Sequence, residues 1–506
     1  MMTRNVRRFG SVRRQIARLW PSGVRIRYSG TTCYSLATAA VGLLPAGVAF
    51  AQHAGPVHSA VRTEVQTTNE WPVTSQRDEV KPDGVGWWEV ALRGCYFLLG
   101  TAPLMLTAPF AWALSFAFPE VADRWWHWAL LVAGSQGPIF VKLLQWAAMR
   151  VDLFPAFLCR RLSNLHFNAP QHEWNETAEA LAKVFGPDWN TRVLRLEKTP
   201  LGSGCIAQVY KGETIGKDPK RVAVKVVHPA VRRRAEVDVE LLRYCAALMD
   251  QLPMIRDVLN AGECVDEFAS TVQPQIDMRA EALNLWKFRA NFLGNAKIVF
   301  PQPVEALTSE TILVEEYEDG QPVLNELDDS HRRKLARLGV QAFLEMVFNH
   351  HFVHGDLHPG NVLVSSDGDS LVLLDAGIAF TIEPKQIRDM RDLFQAIARG
   401  DGQKAGSLLI ERSKSPVEEE KVENFLTSIS NIVSDVHASG LRLERLGIAD
   451  ILVDVLSTCY ECSVKLDPKF ATIVASIFVA EGLGRLLDPN MDILRIAMPV
   501  ILRASG

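Results

Sequence analysis

The segments FVHGDLHPGNVLV, residues 352–364, and LVLLDAGIAF, residues 371–380, decide the fold class. The first fits the spacing H-x-D-L-x-x-x-N of a kinase catalytic loop, with Asp356 and Asn361 at its polar positions. The second begins with an apolar strand that ends at Asp375, where such enzymes have a metal-binding aspartate. The pattern predicts phosphotransfer chemistry, with Asp356 as the catalytic base and Asn361 and Asp375 as ligands of Mg²⁺.

A phosphate-binding loop is predicted upstream, in the segment PLGSGCIAQVYKG. It matches the kinase spacing G-x-G-x-x-G-x-V, with alanine at the third glycine position, through Gly202, Ser203, Gly204, Ala207 and Val209. Glycine lets backbone N–H groups approach phosphate oxygens because no Cβ stands in the way. Because a hairpin turn also favours glycine, this loop predicts ATP binding only together with the motifs around it.

A lysine and its carboxylate partner are predicted next along the chain. The strand-like run VAVK ends at Lys225, in the pattern of the lysine that holds the α- and β-phosphates of ATP. The segment QIDMRAEALNLWKF then places Asp277 and Glu281 four residues apart, on one face of a helix. We predict that Glu281 forms the ion pair with Lys225; an exposed acidic helix face is the alternative.

Three departures from the protein-kinase pattern bear on the substrate class and on regulation. Gly355 stands where regulated protein kinases have an arginine that holds a phosphorylated activation loop, and no A-P-E motif follows. Ala376 replaces the phenylalanine of Asp-Phe-Gly, which switches such kinases between states. An ordinary protein kinase is therefore disfavoured, and Ala376 indicates loss of that regulation rather than loss of the metal site.

The N-terminal region has the composition of a mitochondrial transit peptide. Residues 1–63 contain nine arginines, no lysine and no acidic residue, and the first carboxylate is Glu64. A basic nucleic-acid-binding tail is the alternative. The rest of the chain has 45 Lys and Arg against 58 Asp and Glu, a net charge of −13, which disfavours a nucleic-acid partner.

An uncharged run of 24 residues, 95–118, is a candidate transmembrane helix. A helix of this length spans about 36 Å, enough to cross a bilayer with some tilt. Tryptophans flank the run as in an interfacial belt, whereas Pro103 and Pro109 lie within it. A buried helical hairpin is the alternative interpretation.

The order of these elements predicts an α+β protein with an atypical protein-kinase-like two-lobe fold, an N-terminal helical extension and a preceding transmembrane segment. Strand-like runs dominate the small lobe, and helical periodicity dominates the extension and the large lobe. The predicted boundaries are approximately 1–32 for the transit peptide, 33–94 for an apolar run and linker, 95–118 for the transmembrane helix, 119–195 for the extension, 196–322 for the small lobe and 323–506 for the helical large lobe.

With these motifs in place, residues 130–506 resemble the UbiB/AarF-domain family of atypical kinases. The family's hallmark Lys-x-Gly-Gln corresponds to KLLQ, in which Lys142 and Gln145 lie on one helix face. Its Glu-x-Asp pair corresponds to Gln275-Ile276-Asp277, so one acid is replaced by an amide. The resemblance implies that the extension folds over the active site, with Lys142, Gln145 and Asp277 gating the pocket.

The segments GSGCIAQVY, HGDLHPGN, LLDAG and EGLGRLLDP resemble a mitochondrial branch of that family most closely. The resemblance implies an ATP- and Mg²⁺-dependent kinase or ATPase on the mitochondrial inner membrane, supporting ubiquinone or lipid metabolism. Implied partners are a lipid or lipid-soluble small molecule, such as a quinone precursor, and ubiquinone-biosynthesis proteins. Two alternatives remain: a small-molecule phosphotransferase of the aminoglycoside or choline kinase type, and a non-catalytic, nucleotide-gated module that binds lipid or protein.

Overall fold

In the computed structural model, the structure describes residues 84–488 together with 491 and 496, except for 116, 164–170, 253–259, 324–327, 414–416, 439–447, 465 and 467. The predicted transit peptide and most of the predicted linker lie outside the described residues. The chain divides into two compact units. Within the described part, the first unit comprises residues 133–235 and 266–496, and the second comprises residues 84–132 and 236–265.

The small lobe of the first unit is built on an antiparallel sheet in the order β1-β3-β4-β6, with β2 paired to β3. Its strands are β1 (Leu194–Leu196), β2 (Gly202–Ser203), β3 (Ala207–Thr214), β4 (Arg221–Val227) and β6 (Ile312–Glu316). One face of β4 presents Val222, Val224 and Val226 to an apolar core that includes Tyr210 and Trp189. Because side chains alternate along a strand, Lys225 projects from the opposite face.

Along the chain, helices come before the sheet and between its strands β4 and β6. They are α2 (Pro119–Ser135), α3 (Pro138–Ala148), α4 (Ala156–Ser163), α5 (Trp174–Phe185), α6 (Trp189–Arg192), α7 (Val231–Met249), α8 (Ala261–Val272) and α9 (Met278–Asn291). Asp277 caps α9 by accepting a hydrogen bond from the N–H of Arg279. The buried side of α9 presents Ala282, Leu285 and Phe288 to the core. This orientation also turns Glu281 inward, since it lies about one helical turn from Leu285.

The large lobe is mainly helical, with short strands that carry the two opening motifs. Its helices are α10 (Asp329–Phe348), α11 (Pro384–Ala398), α12 (Gly402–Glu411), α13 (Glu419–Ala438), α14 (Ile448–Glu461) and α15 (Pro468–Leu487). The strands are β5 (Ile298–Val299), β7 (Gly320–Pro322), β8 (Phe352–His354), β9 (Val362–Ser365), β10 (Leu371–Leu373) and β11 (Ala379–Thr381). They form a sheet in the order β5-β10-β9-β7 and a separate β8–β11 pair. The catalytic loop therefore joins β8 to β9, and Asp375 follows β10.

The second unit contains α1 (Trp87–Ser115), the one described helix that is long and apolar enough to cross a membrane. It runs through Pro103 and Pro109 without ending, and only 17% of its most apolar window is buried. Large exposed apolar residues along it include Leu92, Leu99, Leu106 and Phe110. The low burial disfavours the buried-hairpin interpretation, and a transmembrane role stays a prediction that rests on length and composition.

Candidate active site

Lys225 lies at the centre of the small lobe beside two carboxylates. Strand β4 pairs Lys225 with Leu313 of β6, in the interior of the sheet. Its Nζ forms an ion pair with Glu281 of α9 and lies 3.6 Å from Oε1 of Glu315 on β6. All three charged side chains are buried. The structure thus brings Glu281 to Lys225, as the sequence predicts, and adds a second glutamate.

The charged groups in this cluster shift one another's pKa values. Burial raises the pKa of Glu281 to about 7, with Asp375 and Glu315 adding to the rise and Lys225 opposing it. Burial also raises the pKa of Glu315. The pKa of Lys225 is raised: burial by itself would lower it, but the surrounding carboxylates outweigh burial. Lys225 is therefore a cation, and the Oε2 of Glu315 has no hydrogen-bond partner among the described residues.

The catalytic loop is tied to the following strand through one buried imidazole. His354 Nδ1 accepts a hydrogen bond from the N–H of Asp356 at 3.1 Å, and its Nε2 donates to the carbonyl of Leu374 at 3.2 Å. Burial lowers the pKa of His354, which keeps the ring neutral for this pair of bonds. The Nδ2 of Asn361 donates to the Asp356 carbonyl at 3.0 Å. This bond leaves the Oδ1 of Asn361 available to a metal ion.

Gly355 has a structural reason to replace the arginine of regulated kinases. Its N–H donates to the carbonyl of Ile378 at 2.8 Å, so β8 and the segment after Asp375 lie side by side. A Cβ at Gly355 would lie 2.5 Å from Cγ2 of Ile378. A side chain at this position would therefore require the Ile378 side chain to shift.

Asp375 has the conformation and charge of a metal ligand. Its φ of 49° lies in the left-handed region, and its Oδ1 accepts a hydrogen bond from the N–H of Gly377 at 3.1 Å. The pKa of Asp375 is lowered: burial would raise it, but the ammonium groups of Lys225 and Lys142 outweigh burial. Its carboxylate is therefore ionised at neutral pH.

Ala376 is fully buried, and its backbone is held by α9. The Nδ2 of Asn284 donates to the Ala376 carbonyl at 2.9 Å. Asn284 lies three residues after Glu281, so the same helix face binds both Lys225 and the segment after Asp375. The small side chain at position 376 thus belongs to a fixed junction between α9 and the metal-binding segment.

The oxygen atoms here fit Mg²⁺ bound together with a nucleotide. Asn361 offers an amide oxygen and Asp375 an ionised carboxylate, and Mg²⁺ prefers such ligands and takes the remainder from water and phosphate. Within the described ranges there is no group of three or more His, Cys, Asp or Glu side chains that could hold a metal ion. The residues therefore fit a metal whose coordination is completed by ATP.

The nucleotide loop is a β2–β3 hairpin in which Gly202 pairs with Val209. Its turn is closed by the N–H of Gly204, which donates to the Ala207 carbonyl at 2.9 Å. A Cβ at Gly202 would meet no atom of the described chain within 4 Å, and one at Gly204 would lie 3.6 Å from the nearest atom. Because folding does not require glycine at either position, the space it leaves is available to a phosphate.

Lys142 of the extension reaches the same site. Burial alone would lower the pKa of its ammonium group, yet this pKa is raised by the Cys205 sulfur and three carboxylates, which belong to Asp356, Asp375 and Glu281. These four groups come from the nucleotide loop, the catalytic loop, the metal-binding segment and α9. Lys142 therefore lies within electrostatic reach of four of the segments that form the predicted site.

A buried ion-pair cluster anchors the extension to helix α8. Arg150, just after α3, binds Asp152 through two bonds of 2.8 Å and also forms an ion pair with Glu267 of α8. Its guanidinium lies 5.2 Å from the ring centroid of Trp146, which packs edge-on against Phe268. These contacts hold α3 in a defined position, so Lys142 is presented by a rigid element.

The other predicted gating residues occupy different surroundings. Gln145 is exposed on α3. Asp277 is engaged in the α9 cap and in an ion pair of 2.7 Å with Arg279. Gln275, which replaces the family's first acid, is buried and donates to the Thr271 carbonyl at 2.8 Å. Of the three, Lys142 is the one that lies near the catalytic carboxylates, and a gating role stays a prediction for Lys142, Gln145 and Asp277.

Glu315 and Asn284 are site residues that the sequence reasoning missed. Glu315 belongs to the acidic run VEEYEDG, which is typical of an exposed surface. Its alternation with Val314 along β6 is the signal that places it on the Lys225 face. Asn284 could have been found from its spacing to Glu281.

Comparisons with known proteins agree with this geometry. The family model of the ABC1 atypical kinase-like domain matches residues 164–409. A mitochondrial ABC1 family protein of Saccharomyces cerevisiae is 31% identical over 437 residues, covering 73% of this chain and 66% of that protein. One from Schizosaccharomyces pombe is 29% identical over 498 residues, covering 83% and 72%. A Histophilus somni protein called "Probable protein kinase UbiB" is 25% identical over 374 residues, covering 72% and 68%.

The chain spans about two thirds of the length of these relatives. The matches confirm the predicted fold class, because a small lobe rich in strands precedes a helical large lobe within a kinase-like domain. They also confirm the resemblance on which the predicted site depends. This chain belongs to the ABC1 atypical kinase-like family, the UbiB family.

Proposed function

We propose that this protein binds Mg²⁺-ATP and acts as an atypical kinase or ATPase. One observation carries the proposal: the Lys225–Glu281 ion pair, the catalytic loop and Asp375 meet at one site. Kinases require the lysine–glutamate pair and the metal-binding aspartate to be in place together. The relatives from Histophilus somni and Dictyostelium discoideum are named as kinases, which supports the same reaction class.

Each group has a distinct task in the proposed reaction. Lys225 and the backbone N–H groups of the nucleotide loop bind the ATP phosphates. Asn361 and Asp375 would hold Mg²⁺, which when bound neutralises charge on the transferred phosphoryl group. Asp356 orients the attacking hydroxyl or water: its backbone is fixed by His354 and Asn361, while its half-buried carboxylate stays available for the acceptor.

Lys142 defines the class of acceptor. Its ammonium group lies within electrostatic reach of both Asp356 and Asp375, on a helix that Arg150 anchors. A side chain in this place occupies space that a peptide substrate would need, and its positive charge favours an anionic group. The acceptor is therefore water or a small molecule rather than an extended peptide.

The proposed setting is the mitochondrial inner membrane, in support of ubiquinone or lipid metabolism. The two yeast relatives are named as mitochondrial, and another relative is named as a UbiB kinase. The exposed apolar surface of α1 suits membrane anchorage. Lipids, quinone precursors and ubiquinone-biosynthesis proteins are accordingly the proposed partners.

Thermal unfolding of the detergent-solubilised full chain with Mg²⁺-ATP tests nucleotide binding. A ligand that binds the native state raises the melting temperature by mass action. We expect a Mg²⁺-dependent rise that is lost in Asp375→Asn. The matched control is Asp369→Asn, which removes an exposed carboxylate that is ion-paired with Lys334. No shift in a folded wild type at millimolar Mg²⁺-ATP contradicts the proposal.

Catalysis is tested separately by phosphate release with Asp356→Asn, in the presence and absence of lipids and quinone precursors. We expect release by the wild type and loss of release in the variant while Mg²⁺-ATP binding persists. Binding by both proteins without any release would favour the nucleotide-gated binding module over the enzyme.

A further inference from the structure

A single chain of hydrogen bonds connects the buried side of the small lobe to the tip of the nucleotide loop. Thr177, Gln208 and Tyr210 within it are fully buried. Gln208 Nε2 bonds to Tyr210 Oη at 2.5 Å, and this hydroxyl bonds to Thr177 Oγ1 at 2.7 Å. Thr177 Oγ1 bonds to His172 Nε2 at 2.6 Å, and His172 Nδ1 bonds to His228 Nδ1 at 2.6 Å. His228 Nε2 then bonds to the Gly204 carbonyl at 2.8 Å.

Both ends of the chain impose the same direction on its protons. The Gly204 carbonyl can only accept, so His228 carries its proton on Nε2 and accepts on Nδ1 from His172. At the other end, the Oε1 of Gln208 accepts from the N–H of His172 at 3.1 Å, so its Nε2 donates to Tyr210. Thr177 then accepts from Tyr210 and donates to His172. With neutral rings, this is the arrangement that satisfies every link and also gives the buried Tyr210 hydroxyl an acceptor.

His228 holds the nucleotide loop at two points. Its backbone N–H donates to the Ile206 carbonyl at 2.9 Å, and its ring donates to the Gly204 carbonyl. In a trans peptide the carbonyl and the following N–H point in opposite directions. Fixing these carbonyls therefore aims the N–H groups of Cys205 and Ala207 away from His228. Such oriented N–H groups are what a phosphate-binding loop offers to its ligand.

An extra proton on either ring would break the chain. On Nδ1 of His228 it would face the Nδ1–H of His172 across 2.6 Å, unless His172 moved its own proton to Nε2. On Nε2 of His172 it would reverse Thr177 and leave the buried Tyr210 hydroxyl without its acceptor, a costly loss in the interior.

We propose that His172 and His228 form a pH-sensitive latch that positions the nucleotide loop, so that protonation of either ring weakens Mg²⁺-ATP binding. His228 is a positioning residue in this proposal, because it acts through the backbone of the loop. The latch rests on the proposed function, since it presupposes that this loop binds nucleotide.

The electrostatic surroundings suit a ring that is neutral at the pH of a working enzyme. Burial lowers the pKa of His172 from its ordinary value of 6.5, and His228 lowers it further, while Glu176 on α5 opposes both. Those two are the titratable groups that act on this ring among the described residues. The His172 ring is therefore neutral at neutral pH, and its protonation, which opens the latch, requires a pH below its ordinary pKa of 6.5.

The test is the affinity of the detergent-solubilised full chain for Mg²⁺-ATP, measured by calorimetry between about pH 8 and pH 5, where histidines titrate. We expect wild-type affinity to fall by roughly tenfold or more toward the acidic end, the equivalent of losing one hydrogen-bonded anchor. His228→Gln keeps an amide donor for Gly204 but does not titrate. It should bind somewhat more weakly at about pH 8 and lose most of the pH dependence.

Two further variants make the result decisive. His172→Gln should flatten the pH profile of Mg²⁺-ATP affinity in the same way. If circular dichroism shows that His228→Gln is unfolded, His172→Gln takes its place in the comparison with the wild type. His350→Gln, which changes a half-buried histidine of the large lobe, should keep the wild-type profile. ATP itself takes up a proton in this range, so the comparison among variants with the same ligand carries the result.

The outcomes separate the two proposals. Binding at every pH with the same profile in wild type, His172→Gln and His228→Gln overturns the latch and leaves the nucleotide site intact. Absence of Mg²⁺-ATP binding by the folded wild type at every pH overturns the proposed function, and the latch with it. A flattened profile that is confined to the two network variants supports the latch.

Discussion

Replacing Lys225 by methionine should expose how three buried charges are balanced in the small lobe. Methionine keeps most of the volume of the side chain and removes its charge. Glu281 and Glu315 then face each other in the interior without a cation. Breaking a buried ion pair by removing one partner typically costs about 3–5 kcal/mol. The 3.6 Å separation between Lys225 and Glu315 gives a similar figure, about 4–5 kcal/mol, at an effective dielectric constant of about 20.

The loss of stability should depend on pH with a defined sign. In the wild type the pKa of Glu281 is already raised to about 7, and Lys225 opposes this rise. Without Lys225, the folded-state pKa of both glutamates rises further above their unfolded value. A carboxyl whose folded pKa is raised contributes its stability below the unfolded pKa and loses it as the pH rises. Each such carboxyl changes the free energy of unfolding by about 1.4 kcal/mol per pH unit within that window.

Urea unfolding of the nucleotide-free full chain at a series of pH values measures the effect. We expect Lys225→Met to be strongly destabilised at about pH 8 and close to wild type at about pH 5. Adding Glu315→Gln to the variant should reduce the pH dependence, because one of the two buried carboxyls no longer titrates. Lys220→Met is the control, since it removes an exposed lysine that is bound to Glu316 at 2.6 Å and should change little. Equal destabilisation of Lys225→Met at both pH values would refute this account of the cluster.

Two other substitutions test single contacts. Gly355→Ala should reduce the free energy of unfolding by about 1–3 kcal/mol, because the new Cβ would lie 2.5 Å from Ile378. The double variant with Ile378→Ala should recover this stability, and a double variant as unstable as Gly355→Ala would contradict the prediction. Lys142→Met should slow the alkylation of Cys205 by iodoacetamide, since the lysine lowers a thiol pKa that burial otherwise raises. Site-resolved mass spectrometry reads the rate, with the free Cys462 of the large lobe as internal control. An unchanged rate at Cys205 would contradict an effect of Lys142 on its thiol.

The parts of the site that lie within one short segment could be predicted from the sequence. Asp356, Asn361 and Asp375 are brought together by two adjoining strand–loop units, whose geometry follows from local spacing. Glu281 required a tertiary contact, and the sequence offered Asp277 as a competitor on the same face. The N-cap of α9 distinguishes the two, because an aspartate directly before a helical run satisfies that helix's first N–H groups.

The rest depended on contacts between distant segments. Glu315 is buried because β6 pairs with β4 and places Glu315 on the Lys225 face of the sheet, whereas its acidic neighbours lie outside the strand or at its end. His172 and His228 meet across 56 residues, and neither has a local pattern that indicates a partner. Spacing rules apply within an element, so they could not find a hydrogen bond formed by folding two elements together.

The Asp-Ala-Gly segment shows where regulation of this site is to be sought. In kinases with phenylalanine at this position, movement of that ring changes the state of the enzyme. Here Ala376 is fully buried, its carbonyl is held by Asn284, and the same helix keeps Glu281 on Lys225. Movement of the segment at position 376 would have to break the Asn284 bond and displace a fully buried side chain, which disfavours a switch there. In the proposed function, control of nucleotide binding is then to be sought in two elements near the loop: the extension through Lys142, and the histidine pair that holds the Gly204 carbonyl.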